Sequence, residues 1–254
     1  MGIYSLYQTS VLECNSCKKV NPNAINVYSE RNPKCDKKAD MWVGRRAYLK
    51  DYLKSKIAPA VMIVGQSPGF LGCGFSGIPF TAEANAIADL SIRNYHLTEG
   101  KRQEEASAEN VYKVLREVAT LKKTTVAALS KKIIMTNAFQ CIPSDVTRRV
   151  LCKEKKVLSA MSKNCIDLLT QQIEEINPRC IITLGEDALN STMCALKIEN
   201  KKKPMGILVT TEVSFETDSH IKVYPLLHPS PLTKNHIAAE KSRTRFIQLL
   251  NQYL

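Results

Sequence analysis

Three stretches of this 254-residue chain carry residue types that could do chemistry. Between positions 65 and 79 stand five glycines and two prolines, a density that forces tight turns and lets the backbone approach a bound molecule closely. His228 is followed by Pro229, Ser230, Pro231 and Leu232; the two prolines fix a rigid protruding loop, which a histidine serving only the core does not need. Cys14 and Cys17 form a Cys-x-x-Cys pair in a polar context, the spacing at which two thiolates chelate one metal ion or two corners of a cluster. A redox role would place that pair after a strand and before a helix, and no strand pattern precedes Cys14.

The elements that must position these residues read as α/β. Residues 61–64 form an apolar, β-branched run too short for a helix, the pattern of a strand buried on both faces. Similar runs begin at Ile133, Arg179 and Ile221, and residues 207–211 are expected to form a further strand. Helical patterns fall at residues 39–56, 82–97, 108–121, 166–176 and 236–254, with Thr81 as N-cap and Glu83 at the second helical position of one of them. The polar segment 98–108 is expected to be an exposed loop away from the core. Cys180 and Cys194 fall at core-like positions and are expected to be buried thiols. In open α/β sheets ligands sit outside the carboxyl ends of the strands, which is where the glycine-rich loop lies. That loop lacks both G-x-G-x-x-G and the P-loop Lys-Ser/Thr, which argues against a generic nucleotide site.

The totals bound the rest. A chain of this length suits one large α/β domain or two small ones. Hydrophobic content of 44% is ordinary, no apolar run approaches a membrane span of roughly 18 residues, and no basic-then-apolar leader opens the chain. Met1-Gly2 resembles a myristoylation start, but Leu6 stands where Ser or Thr is required. The expected location is intracellular, cytoplasmic or nucleoid-associated, with no membrane partner. The formal charge is +12, which points to a polyanion. Its basic pairs, including Lys18-Lys19, Arg45-Arg46, Arg148-Arg149 and the run at 201–203, are scattered and also suit a solvated surface. Nine cysteines, an odd number, suit metal ligands and buried thiols better than a disulfide framework.

Taken together the motifs resemble the uracil-DNA glycosylase superfamily, most of all its iron-sulfur branch, families four and five. Gly-Gln-Ser-Pro-Gly at 65–69 with Ser-Gly-Ile-Pro-Phe-Thr-Ala-Glu at 76–83 is similar to the first motif of those enzymes. Thr-Asn-Ala-Phe-Gln-Cys-Ile-Pro at 136–143 is similar to the end of their next strand, Leu-Gly-x-x-Ala at 184–188 to a scaffold motif, and His-Pro-Ser-Pro-Leu at 228–232 to their second catalytic motif. The resemblance runs from about Cys14 to the C-terminus. It implies a single three-layer α/β/α domain over 1–254, with a central, mostly parallel four-stranded sheet and an N-terminal segment, about 1–38, tied to the core by a metal cluster.

The resemblance also implies the site. Asn137 reads the uracil edge, since an amide offers both an acceptor and donors. Phe80 stacks on the flipped base, and Gly65, Ser67 and Ser230 line the substrate. His228 stabilises the departing base. The family-four acid falls at Gln66, which cannot be a base and is left to orient water, whereas Glu83 aligns with the acid of family five and is expected to act as base or cation stabiliser. Cys14, Cys17, Cys141 and Cys165 would hold a structural [4Fe-4S] cluster, with Cys152 the rival for the fourth place and zinc the alternative metal. Gln140 replaces the family's usual lysine. The implied activity is monofunctional removal of uracil from DNA in base-excision repair by a monomer. The alternatives are a glycosylase for hypoxanthine or xanthine and a non-catalytic binder of uracil DNA.

Overall fold

The computed structural model describes residues 2–34, 36–95, 104–145, 150–199, 203–230 and 236–254. Apolar, β-branched runs without polar alternation cannot face water on either side, so they pair as a parallel sheet covered by helices. The strands β1 (Ile25–Asn26), β2 (Val61–Gly65), β3 (Ile133–Asn137), β4 (Cys141–Ile142), β5 (Ser144–Asp145), β6 (Val150–Leu151), β7 (Cys180–Leu184), β8 (Phe215–Glu216) and β9 (Lys222–Leu226) form one five-stranded sheet and two small ribbons. The large sheet has the order β3-β2-β7-β9-β8. Its first four strands are parallel and every residue of β2, β3 and β7 is buried. The helices α1 (Ile3–Ser10), α2 (Trp42–Lys54), α3 (Cys73–Ser76), α4 (Glu83–Ala88), α5 (Ala106–Leu121), α6 (Val126–Ser130), α7 (Lys155–Asn164), α8 (Ile166–Ile176), α9 (Glu186–Ala195), α10 (Met205–Thr210) and α11 (His236–Tyr253) surround it, giving the expected three-layer architecture.

The sheet has five strands where four were expected. The fifth, β8, runs antiparallel to β9 with Phe215 opposite Val223. The segment 207–211, expected as a strand, instead lies largely within α10. Pro204 stands at its N-cap, where a missing N–H removes no helical hydrogen bond, and consecutive Leu208 and Val209 go inward while Ile207 stays half exposed. α4 stops at Ala88, well short of the expected 82–97, whose last two residues lie outside the described chain. Its N-cap is Ala82 and its first residue Glu83; Thr81 turns its hydroxyl to the Pro79 carbonyl (2.9 Å) and the Tyr112 hydroxyl (3.0 Å) instead.

The first turns of the chain join the core by packing. Tyr7 of α1 is 1% exposed and its hydroxyl meets Thr136 Oγ1 at 3.0 Å. β1 pairs antiparallel with β4, which sets Asn26 opposite Cys141. The basic pair Arg45-Arg46 divides. Arg45 is fully buried, donating to both carboxylate oxygens of an equally buried Asp36 (2.7 and 2.8 Å) and to the Val27 and Glu30 carbonyls. Arg46 pairs with Glu13 near the surface. A guanidinium whose three nitrogens are each matched can sit in the interior, so Arg45 is a strut of the N-terminal segment and contributes nothing to a basic surface. Arg148, Arg149, Lys201 and Lys202 lie outside the described residues. No helix among the described residues is long and apolar enough to cross a membrane.

Candidate active site

Parallel pairing places all four strand ends at one edge. Gly65 lies in register with Asn137, and Leu184 with Leu226, two residues before His228. The chain leaves β2 toward β3 on one side and continues from β7 to β9 on the other, so the loops after β2 and β7 diverge at a topological switch point. The hydrogen bond from Gln66 Nε2 to Asp187 Oδ2 (2.6 Å) spans it.

Beside this crossing lies a cavity of about 350 Å³, lined by Gln66, Ser67, Phe80, Asn137, His228 and Ser230 together with Pro68, Gly69, Cys73, Glu105 and Ser107. Six residues singled out from sequence thus share one pocket. Gly65 stands directly behind it: a Cβ there would lie 2.3 Å from Phe80 Cζ and 2.9 Å from Asn137 Oδ1. Only glycine lets the strand end close on both groups.

Phe80 is held at φ +52°, a left-handed conformation that a bulky side chain adopts only when its surroundings over-determine it. The determinants are local. Ser76 Oγ donates to the Thr81 carbonyl at 2.5 Å, Gly77 turns at φ +78° against the Arg45 backbone, and Thr81 is tied to Tyr112. The Phe80 ring lies 6.4 Å from the His228 ring, centroid to centroid. Asn137 is 2% exposed and its Nδ2 donates to Cys73 Sγ at 3.9 Å. Beneath it a buried network fixes the strand end: Thr136 Oγ1 donates to Gln172 at 2.7 Å and accepts from Gln140. Gln140 also donates to the Asn137 carbonyl (2.7 Å), so it faces inward and braces Asn137.

His228 is exposed at the pocket mouth. Partial desolvation by the protein around its ring still lowers its pKa below the ordinary imidazole value, and the charge of Glu105 works in the opposite direction. Asn110 Nδ2 donates to the Pro229 carbonyl at 2.8 Å, which pins the following turn; Pro231 and Leu232 lie outside the described residues. Burial pushes the Cys73 thiol up to about 12, so it enters the pocket as a neutral group. Glu83 is fully buried outside the cavity lining and accepts from the Tyr48 hydroxyl at 3.1 Å.

Three lining residues, Cys73, Glu105 and Ser107, were not legible as site residues in the sequence. Glu105 and Ser107 belong to the segment read as an exposed excursion, residues 98–108, whose first six lie outside the described chain. The missed signal is a helix start: Glu105 N-caps α5, its carboxylate accepting from the Ser107 and Ala108 amides at 3.2 and 2.9 Å.

The cysteines sort into two groups. Cys17 in the turn at Ser16–Lys19, Cys141 in β4 and Cys165 between α7 and α8 are buried, and Cys14 is partly so. The Cys17 thiol is held above its ordinary range, first by its hydrogen bond with Cys141, while Cys165 acts in the other direction and Cys14 is close enough for its charge to be felt. Cys165 is raised in turn by its bond to Cys17. Among the described residues no three ligating groups are drawn to coordinating spacing, although the Cys17 thiol is in contact with those of Cys141 and Cys165 and feels the charge of Cys14; thiols are the soft donors that iron-sulfur clusters and structural zinc take. Cys152 is half-exposed, its amide bonded to the Pro143 carbonyl. Cys180 is buried as expected. Cys194, expected to be buried, is exposed; it sits on the face of α9 turned away from Leu189 and Met193. Cys35 lies outside the described residues.

A model of the uracil DNA glycosylase superfamily matches residues 54–254. The chain belongs to that superfamily. Among solved structures, the crystal structure of wild-type SMUG2 from Pedobacter heparinus superposes with a TM-score of 0.57 over 91% of this chain and 86% of that one, at 16% sequence identity, a likeness of fold. No curated protein matches the chain. Superfamily membership carries the coarse function: a DNA glycosylase, a hydrolase of the base-excision type. The matched region contains the three strand ends that feed the pocket and leaves the Cys14 and Cys17 segment outside.

Proposed function

We propose that this glycosylase hydrolyses the N-glycosidic bond of uracil in DNA, without lyase action and as a monomer. The observation that supports the reading is the joint placement of the Phe80 ring, the Asn137 amide and the His228 imidazole around one cavity of about 350 Å³. A stacked base cannot be reached in place, so the nucleotide is flipped out at a cost of a few kcal/mol. Phe80 returns about 1–3 kcal/mol by stacking. Asn137 pairs with the 4-carbonyl and the ring imide hydrogen, and Ser67 and Ser230 border the entering nucleotide.

As the bond to the sugar breaks, the sugar becomes oxocarbenium-like and the base gains charge on its 2-carbonyl oxygen. His228, whose pKa is lowered by desolvation, donates a hydrogen bond to that oxygen. Loss of one such donor typically costs about 3–4 kcal/mol. Gln66 is engaged by Asp187 at the pocket rim and borders the water side without serving as a base. Basic surface groups neutralise the DNA backbone.

We infer further that Cys14, Cys17, Cys141 and Cys165 hold a structural [4Fe-4S] cluster, with zinc as the alternative. When bound, such a group supplies cross-links between the N-terminal segment, β4 and the start of α8.

Alkali-revealed cleavage of single-stranded and duplex oligonucleotides carrying uracil, hypoxanthine or xanthine, with His228→Ala alongside, tests the reading. Uracil release that falls by orders of magnitude in the variant supports it. Preference for another base redirects the specificity, and tight binding without release from any substrate leaves a non-catalytic binder.

A further inference from the structure

Hydrolysis needs a group that orients and deprotonates water, and the acid aligned for that task, Glu83, is sealed beneath the loop and bonded to Tyr48. The carboxylate that does line the cavity is Glu105. We propose that Glu105 is the general base of this site, positioning the attacking water on the sugar side of the pocket opposite His228. This rests on the glycosylase reading above and names the residue that completes it.

The placement is built. Two backbone N–H groups at the start of α5 hold the Glu105 carboxylate at 3.2 and 2.9 Å, leaving it lone pairs to spare. The loop after β2 closes on it from the other side: a Cβ on Gly72 would come within 2.8 Å of Glu105 Oε2. The same helix carries Asn110, which grips the Pro229 carbonyl at 2.8 Å. One rigid element therefore sets the carboxylate and the His228 turn relative to each other. His228 and Cys73 both feel the Glu105 charge, which raises their pKa values against or along with the effect of desolvation. His228 also borders a second cavity whose lining includes Lys113, Glu240 and Arg243; among the described residues Glu105 is the charged group that shares the substrate pocket with it.

In the step itself the water oxygen bonds to the sugar C1′ as the bond from C1′ to the base nitrogen breaks. The electron pair of that bond leaves on the base, whose 2-carbonyl oxygen accepts from His228. The water proton passes to the Glu105 carboxylate, which returns it to solvent or to the departed base. The negative carboxylate also faces the positive charge that develops on the sugar.

The test compares Glu105→Gln, Glu105→Asp and Glu83→Gln with the wild type, in steady-state release from whichever of the three damaged-base oligonucleotides the wild type opens. Expected is a fall in kcat of about two to four orders of magnitude for Glu105→Gln, with KM and melting midpoint near those of the wild type. Glu105→Asp keeps a good helix cap but withdraws the carboxylate, and its kcat falls between the two. NMR titration of His228 in the free protein gives a readout that needs no turnover: removing the Glu105 charge lowers its pKa further. The proposal is overturned if Glu105→Gln works within a few fold of the wild type, if Glu83→Gln shows the larger loss in kcat, or if the His228 titration does not move. A wild type that opens none of the three bases removes the glycosylase reading and this role with it, an outcome distinct from an active enzyme indifferent to Glu105.

Discussion

Replacing Gly65 by alanine should separate catalysis from stability in this enzyme. Gly65 ends β2 with a conformation that alanine can adopt, so the backbone itself is not strained. The added methyl, however, would lie 2.3 Å from Phe80 Cζ, 2.8 Å from Phe80 Cε2 and 2.9 Å from Asn137 Oδ1. Ordinary carbon contacts lie near 3.5–4.0 Å, so the ring must retreat by about 1 Å or more. Phe80 is only 9% exposed and already sits at positive φ, leaving little room to yield. Overpacking of this kind costs about 1–3 kcal/mol, or roughly 2–12 °C in melting midpoint for a domain of this size. A misplacement of about 1 Å in a reacting geometry costs about 100-fold in rate. Gly65→Ala is therefore expected to remain folded by circular dichroism while base release falls about 100-fold, mainly in kcat. Phe80→Ala loses the stacking surface, about 1–3 kcal/mol, and also the two closest clashes, leaving only Asn137 Oδ1 at 2.9 Å, so in the double variant the alanine at 65 should add much less than it does alone. Additive effects of the two substitutions on kcat would refute the argument, because the damage would then not pass through the ring.

The other expectations are more direct. His228→Ala should reduce release by about 100- to 1,000-fold with little change in melting. Because desolvation lowers the His228 pKa, the imidazole is neutral above that value; release should hold steady as pH falls to the usual imidazole range and decline only below it, a profile readable by stopped assays from neutral to acid pH. Arg45→Met leaves the Asp36 carboxylate buried without its partner, which costs about 3–5 kcal/mol and should appear as a large drop in melting midpoint. Elemental analysis of purified protein should find iron in excess of zinc, lost in Cys17→Ser and Cys165→Ser and kept in Cys152→Ser; retention in Cys165→Ser with loss in Cys152→Ser would exchange their roles.

Much of this site could be read before any fold was known, and the reason is local. Residues 65–83 carry turn chemistry, an aromatic ring and a strand exit within one continuous stretch, and His228 carries its own rigid loop, so composition and spacing report them directly. The parallel strands were legible for a similar reason: an unbroken β-branched run such as 61–64 has no polar face to show to water. Segment 207–211 has that composition too but follows Pro204, and a helix start outweighed β propensity in a short surface element.

Sequence alone thus determined which chemistry the chain can offer: a closely approached strand end, an amide, an aromatic ring, an imidazole and a set of thiols. Tertiary structure decided who shares a pocket. Parallel register brought Gly65 beside Asn137 and His228 within reach of both, across separations of 72 and more residues that no local pattern encodes. Packing also placed two charges that local pattern could not place. Arg45 resembled surface charge until the turn of the N-terminal segment delivered Asp36 and two carbonyls to its guanidinium. Glu83 stands in the motif but is buried behind the pocket, whereas Glu105, unremarked in a polar stretch, is carried into it by the first turn of α5. Charge type is written in the residue; desolvation and partners, which set what that charge does, are supplied by the rest of the fold.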